Sequence, residues 1–160
     1  MGSRVPAIVA AAVVGVAFLA GGGAVARAGA LAASVRGHVW GAAEEVPGTA
    51  ALNQGGNAEV SSVSCASAGN CSAGGSYTDS SGNIQAFVVS QTGGTWHPAI
   101  EVPGTAALNQ GGDAEITLVS CASVGNCTAG GHYLDRSLHE QAFVDSEVHG
   151  TWGTAIEVHG

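Results

Sequence analysis

Four cysteines are the side chains of this sequence best placed to do chemistry. They form two Cys-x5-Cys units, Cys65-Ala-Ser-Ala-Gly-Asn-Cys71 and Cys121-Ala-Ser-Val-Gly-Asn-Cys127. Thiols so spaced act either as disulfide partners or as thiolate ligands. A structural zinc site takes four Cys or His ligands in short paired spacings, and no histidine recurs at a matching place in the two units. Four cysteines allow three pairings, and the symmetry of two like units selects Cys65 with Cys71 and Cys121 with Cys127. The Gly-Asn in each unit is a turn signal, so each bridge is expected to close a short loop between two strands. In the chain-entropy account such a loop contributes about 2–3 kcal/mol, a large share of a small domain's net stability.

The carboxylates repeat as well. Glu45, Glu101 and Glu157 share one repeat position, and Glu59 and Glu115 share another. A glycosidase needs two carboxylates in one asymmetric arrangement across a bond. Groups that recur in every copy fit a solvated strand face better. The six histidines have neither ligand spacing nor a Gly-x-Ser-x-Gly elbow beside them, so neither a metal centre nor a Ser–His nucleophile is indicated. Asp79-Ser-Ser-Gly-Asn83 has the look of a calcium loop, but its second copy reads Asp135-Arg-Ser-Leu-His139. Calcium wants several convergent oxygens, and a hairpin turn is the simpler reading. No catalytic residue, cofactor or metal ligand is expected. The remaining candidates are aromatic: Trp96, Trp152, Tyr77 and Tyr133 recur in register. Such rings either stack on sugar faces or fill a core that has little else to bury.

What positions these residues is a duplicated unit. Trp40, Trp96 and Trp152 lie 56 residues apart, and 37 of the 56 positions in 40–95 match 96–151 without a gap. A third copy begins at Trp152 and runs to Gly160. Repeats of this length form arrays whose units bury their faces on neighbours. Within one unit, 58–65 alternates and is β-branched, 71–77 is a Gly-rich strand, 85–90 is a short apolar strand, and 95–102 is a fourth strand carrying Pro98. Turns separate them, and helical periodicity is missing. Gly74-Gly75 inside a strand suggests a bulge or the close approach of another sheet. The unit is therefore an antiparallel four-strand meander. Residues 103–112 then give the ten-residue connection needed to reach the first strand of the next unit. The predicted fold is all-β after a helical N-terminal segment, with two blade-like meanders at 58–103 and 114–159, as in part of a β-propeller. The alternative is a β-sandwich of the two meanders. Residues 38–46 match the last strand of a blade and are expected as a leading strand.

The first thirty residues read differently. A positive start at Arg4, an apolar run from Val5 to Ala20, Gly21-Gly22-Gly23, and the small-x-small sites at 26–28 and 28–30 make a secretory signal peptide. The rival is an uncleaved membrane anchor, since 5–26 is long enough to span a bilayer. Residues 31–37 are a linker, and 38–160 form the repeat domain. Beyond the leader two arginines stand against twelve Asp and Glu, a net charge of −10, and lysine is absent from the chain. That field repels a phosphate backbone, so nucleic acid is not an expected partner. Membrane contact is expected only with an uncleaved leader. Export also places the thiols in an oxidising compartment.

Asn83-Ile-Gln-Ala-Phe-Val88, preceded by Ala73-Gly-Gly-Ser-Tyr-Thr-Asp79 and Gly55-Gly-Asn-Ala58, resembles the HAF-type extracellular repeats of bacteria. In those repeats a Gly-rich strand, an Asp/Gly turn and a His-Ala-Phe strand follow one another; here Gln85 and Gln141 replace the His. The resemblance covers nearly all of 38–160 and implies a secreted, propeller-like array with no activity established for the class. The paired cysteines are extra to that pattern. Ser90-Gln-Thr-Gly-Gly-Thr-Trp96 and Ser146-Glu-Val-His-Gly-Thr-Trp152 more weakly resemble Asp-box hairpins of sialidase-type propellers, without the Asp. The expectation is a non-enzymatic secreted repeat protein, structural or binding at the cell exterior. Its partners would be a glycan, a cell-surface protein, or further copies meeting its uncovered blade faces. The alternative function is a carbohydrate-binding, lectin-like propeller closed by oligomerisation, with the four aromatics as its ligand residues.

Overall fold

A computed structural model describes residues 41–159. The signal-peptide reading of 1–30, the linker 31–37 and the first residues of the leading strand lie outside them. The described chain is mostly β, in two antiparallel sheets that form no closed barrel.

The first sheet contains β1 (Ala58–Ser67), β2 (Asn70–Thr78), β3 (Ile84–Thr92), β4 (Thr95–Trp96) and β5 (Ile100–Glu101). The second repeats it as β6 (Ala114–Ser123), β7 (Asn126–Leu134), β8 (Glu140–Val148), β9 (Thr151–Trp152) and β10 (Ile156–Val158). In each sheet the first three strands pair in sequence order, and both short strands pair with the third. The β1–β2 turn is set by Gly69 at φ 73°, with Asn70 Nδ2 donating to Ser67 Oγ at 3.0 Å. That turn brings Cys65 directly opposite Cys71, and its equivalent brings Cys121 opposite Cys127. Both bridges of the expected pairing are present.

The Gly-Gly pairs meet two separate demands. The ladder shifts between Val60 and Ser62, and again between Ile116 and Leu118. Each shift is a bulge that pushes the carbonyl of Glu59 or Glu115 onto Gly75 or Gly131, where a Cβ has no room. Gly74 is small for a different reason: a Cβ there would lie 2.7 Å from Ile116 Cγ2 of the other sheet.

Two expectations need correction. The fourth strand is not continuous over 95–102. It breaks into β4 and β5, and Ala99 N–H donates instead to Pro47 O at 2.7 Å. Pro98 is not the cause. The second copy has Thr154 there and breaks in the same way, with Ala155 N–H on Pro103 O at 2.8 Å. The incoming connection takes the amide that a longer strand would have used. The leading strand is likewise not formed over 41–46. Its counterpart β5 is a strand because it pairs with Phe87 and Val88 of β3, and the described residues offer 44–46 no such third strand.

The connections also contain something the sequence pattern did not show. Gly48 and Gly104, at φ 85° and 89°, each start a single helical turn, α1 (Thr49–Leu52) and α2 (Thr105–Leu108). Thr49 and Thr105 hydroxyls hold each turn by donating to Val46 O and Val102 O at 2.7 Å. Four residues are too few for a 3.6-residue period to appear.

The main core lies between the sheets. Strand β6 lies against β1, β2 and β3, and Ala86, Val88, Ala114, Ile116, Ala129, Phe143 and Trp152 pack together there. A smaller cluster of Ala73, Tyr77, Phe87, Val89 and Ala99 occupies the far face of the first sheet.

Candidate functional site

The densest polar cluster sits where the two sheets meet. Glu147 lies one residue before the end of β8, where β9 pins it by pairing it with Trp152. Glu147 is 2 % exposed and reaches across to the first sheet, accepting from Ser72 Oγ at 2.9 Å and Ser90 Oγ at 2.6 Å. Ser72 and Ser90 are cross-strand partners on β2 and β3, so both hydroxyls point the same way. Trp152 Nε1 donates to Ser90 Oγ at 3.1 Å, and Cys127 Sγ lies 3.3 Å from Ser72 Oγ. A buried carboxylate is tolerated only when donors take its lone pairs, and here two hydroxyls do so. The joint continues along β6: Ser61 Oγ donates to Glu115 at 2.5 Å, and the amides of Val119 and Cys121 donate to Ser62 Oγ and Ser64 Oγ, both at 3.0 Å. At the far end Asn109 Nδ2 donates to Ile84 O at 2.9 Å and to Gln85 Oε1 at 3.0 Å.

This cluster is built to bind sheets together. Among the described residues no histidine is hydrogen-bonded to Glu147 or to the two serines. The cavity beside them is about 10 Å³, room for at most one water.

The remaining sequence candidates are placed one by one. Tyr77 and Tyr133 are 4 % and 3 % exposed. Tyr77 Oη donates to Glu101 at 3.1 Å, and burial followed by the Glu101 charge drives its hydroxyl well above the usual tyrosine range. Tyr133 is raised in the same way, by burial first and then by Glu157. The repeated Glu101 and Glu157 therefore serve the tyrosines. Trp152 is buried in the joint, and Trp96 is partly buried against the smaller core cluster. Of the four rings, only Trp96 keeps part of its surface open. The Asp79 loop turns inward: Oδ1 accepts the amides of Ser81 at 2.7 Å and Asn83 at 3.0 Å, and Oδ2 accepts Gln85 Nε2 at 3.0 Å. The Gln85 bond, foremost among several donors, holds the Asp79 carboxyl below the usual carboxylate range. Asp135 repeats the turn, its carboxyl lowered chiefly by the His139 amide. Among the described residues no group of three or more His, Cys, Asp or Glu is placed to hold a metal. No helix among them is long and apolar enough to cross a membrane.

Sequence reasoning missed the joint itself. Ser72, Ser90 and Glu147 lie 18 and 57 residues apart, without a motif. The available signal was the change from Gln91 in the first copy to Glu147 in the second. It also missed Asp145, a carboxylate 2 % exposed where the first copy has Val89. A groove of about 370 Å³ opens on the outer side of the first sheet, lined by Glu45, Val46, Thr49, Asn53, Asn57 and Val60 among others. Asn53 Oδ1 is buried beside it without a hydrogen-bond partner. No family model, no curated protein and no solved structure matches the chain.

Proposed function

We propose that this chain is an exported, non-enzymatic repeat module whose two sheets are blades of a propeller-like array, with a structural or interaction role at the cell exterior. The observation that carries this reading is the use made of the chemically capable side chains. Glu147, Ser72, Ser90 and Trp152 join one repeat to the next, and Glu101 with Tyr77 and Asp79 with Gln85 fix a repeat internally. Two cross-strand disulfides reinforce hairpins whose core is thin, as is common outside the reducing cytoplasm. The net acidic surface is consistent with a soluble exterior protein and unsuited to nucleic acid.

The test combines location and binding. Cells making the full chain are treated with a thiol-alkylating reagent before lysis and then fractionated. The expected result is chain outside the cytoplasm with all four cysteines protected from alkylation. Cytoplasmic chain with free thiols would overturn the reading. A glycan array probed with the oxidised protein is expected to be silent; selective sugar binding lost on Trp96→Ala would replace it with the lectin function.

A further inference from the structure

The joint between the sheets has two halves, and the chain carries each of them once more, uncovered. One half is the β2–β3 face of the first sheet, with Gly74, Ala86, Val88 and the two serines. Shifted by 56 residues, it becomes the β7–β8 face, with Gly130, Ala142, Val144, Thr128 and Ser146. The other half is the β6 face, where Ala114, Ile116 and Val119 are 0 %, 0 % and 5 % exposed. Shifted back, it becomes the β1 face, where Val60 and Val63 are 45 % and 59 % exposed. Val88 is fully covered, whereas its counterpart Val144 is 38 % exposed.

We propose that the protein associates head to tail with a second copy of itself, the β1 face of one copy seating on the β7–β8 face of the next in the geometry of the internal joint. The two free faces match pair by pair. Ile116 sits on bare Gly74 inside the chain; Val60 would sit on Gly130, where a Cβ meets nothing of its own chain nearer than 3.9 Å. The Ser61–Glu115 bond becomes Thr117–Glu59. The Ser72–Ser90–Glu147 cluster becomes Thr128–Ser146–Gln91, the glutamine offering an acceptor and a donor to two hydroxyls. Trp96, partly open in the single chain, takes the place of Trp152.

The two joints differ at a few positions, on one side of the contact or on both. Ser62 Oγ meets Val119 N at 3.0 Å inside the chain. The corresponding pair is Leu118 and Val63, 63 % and 59 % exposed, so a polar contact is replaced by an apolar one. Ile84 lies beside Asp113 in a parallel bridge. Its counterparts are Glu140 and Asn57, so the arriving carboxylate meets an amide and not a second acid. The groove over Val60 is the slot this neighbour fills. At the internal joint the matching residues Val102, Thr105, Asn109, Ala114 and Ile116 are all covered. Asn109 there is oriented by β3, which frees its Oδ1 to accept Asp113 N–H at 2.7 Å. Asn53 lacks that neighbour, and its Oδ1 is left without a partner. The contact is heterologous, so it yields a ring if the rotation between copies closes and a filament otherwise. The inference is independent of where the chain resides and of what else it binds.

The test uses the full chain with its disulfides oxidised. Sedimentation velocity across a concentration series is expected to show mass growing beyond one chain. Val63→Arg and Leu118→Arg place a charge on opposite faces at positions already exposed, so the single chain is expected to keep its fold and its circular dichroism. Each variant alone is expected to associate at least about 100-fold more weakly, because an unpaired charge is buried in the contact. An equimolar mixture is expected to form a heterodimer and nothing larger, since each variant retains one intact half. Val60→Arg and Val144→Arg repeat the experiment should either first variant fail to fold. Wild-type chain that stays monomeric up to its solubility limit overturns the proposal. So does a mixture that forms no heterodimer, which would mean that like faces pair with like.

Discussion

Replacing Asp145 with the residue that its repeat partner already uses should make the protein more stable. Asp145 is 2 % exposed on β8, facing the joint. Its Oδ1 accepts Ser146 N at 2.7 Å, and its Oδ2 has no partner. Burial pushes the carboxyl above the usual aspartate value of 3.8, against the smaller opposing pull of the Ser146 and Gly153 amides. A buried acceptor without a partner costs about 1–3 kcal/mol. The first copy shows that the backbone does not require the carboxylate: Val89 holds the same place on β3, 1 % exposed, and packs in the smaller core cluster. Asp145→Val removes the unpaired oxygen and leaves the strand path already realised with valine. The expected gain near neutral pH is about 2 kcal/mol, or roughly 8 °C in Tm for a domain of this size.

The pH dependence separates this cause from improved packing. A carboxyl whose folded pKa is raised binds its proton more readily in the folded state than in the unfolded one. Between the unfolded value and the higher folded value, the folded state therefore holds more protons, and stability falls as pH rises through that window. Above the window the whole penalty is present; below 3.8 it is gone. Urea unfolding of wild type and Asp145→Val, measured from pH 3.5 to 7.5, should show a stability difference that is largest at neutral pH and shrinks on acidification. Equal differences across the range would assign the gain to packing alone. A less stable variant at pH 7 would refute the reasoning and make Asp145 a satisfied member of the joint.

Three further expectations concern the disulfides, the glycines and the buried glutamate. Removing either disulfide as a Cys-to-Ser pair should cost about 2 kcal/mol from loop entropy. Loss of Cys121–Cys127 should cost more than loss of Cys65–Cys71, because Cys127 Sγ packs on Ser72 across the joint; paired urea melts check the order. Gly74→Ala should destabilise by about 1–3 kcal/mol through overpacking on Ile116, whereas Gly130→Ala should leave the single chain unchanged or slightly stabler; equal losses would show that the sheets do not meet at Gly74. Glu147→Gln should be tolerated, since Gln91 occupies that position in the first copy, while Glu147→Ala should lose about 2–4 kcal/mol by leaving two hydroxyls and the Trp152 network unsupported; thermal unfolding of both variants decides.

The fold was legible wherever a local signal carried it. The Gly-Asn turns and the cysteine symmetry located both bridges, and period-two patterning located three strands of each repeat. Gly74-Gly75 suggested a bulge or a close approach, and the structure contains both, at Glu59 and at Ile116. The fourth strand was read as continuous because its interruption is tertiary: Ala99 N–H goes to Pro47 O, fifty-two residues earlier. The helical turns at Thr49 and Thr105 were too short to leave a period. The joint was invisible for a related reason, since Glu147 is meaningful only beside Ser72 and Ser90.

The differences between the copies were nonetheless written in the sequence, and the structure supplies the means to read them. Where both copies keep the same surroundings they keep the same residue, as with Asp79 and Asp135, Tyr77 and Tyr133, or Asn70 and Asn126. Where they part, several of the changes fall on the sheet faces that meet or lie bare: Ser62 and Leu118, Ile84 and Glu140, Val89 and Asp145, Gln91 and Glu147. Divergence by drift alone would scatter polar and apolar exchanges without regard to what stands opposite. Here Leu118 replaces Ser62 on one free face, and the residue that would meet it on the other is an exposed valine, Val63. Asn57 replaces Asp113 on the face that would receive Glu140. Changes on two distant surfaces of one monomer have no contact through which to compensate one another. They would acquire such a contact once the surfaces belong to neighbouring copies, as the proposed head-to-tail association requires.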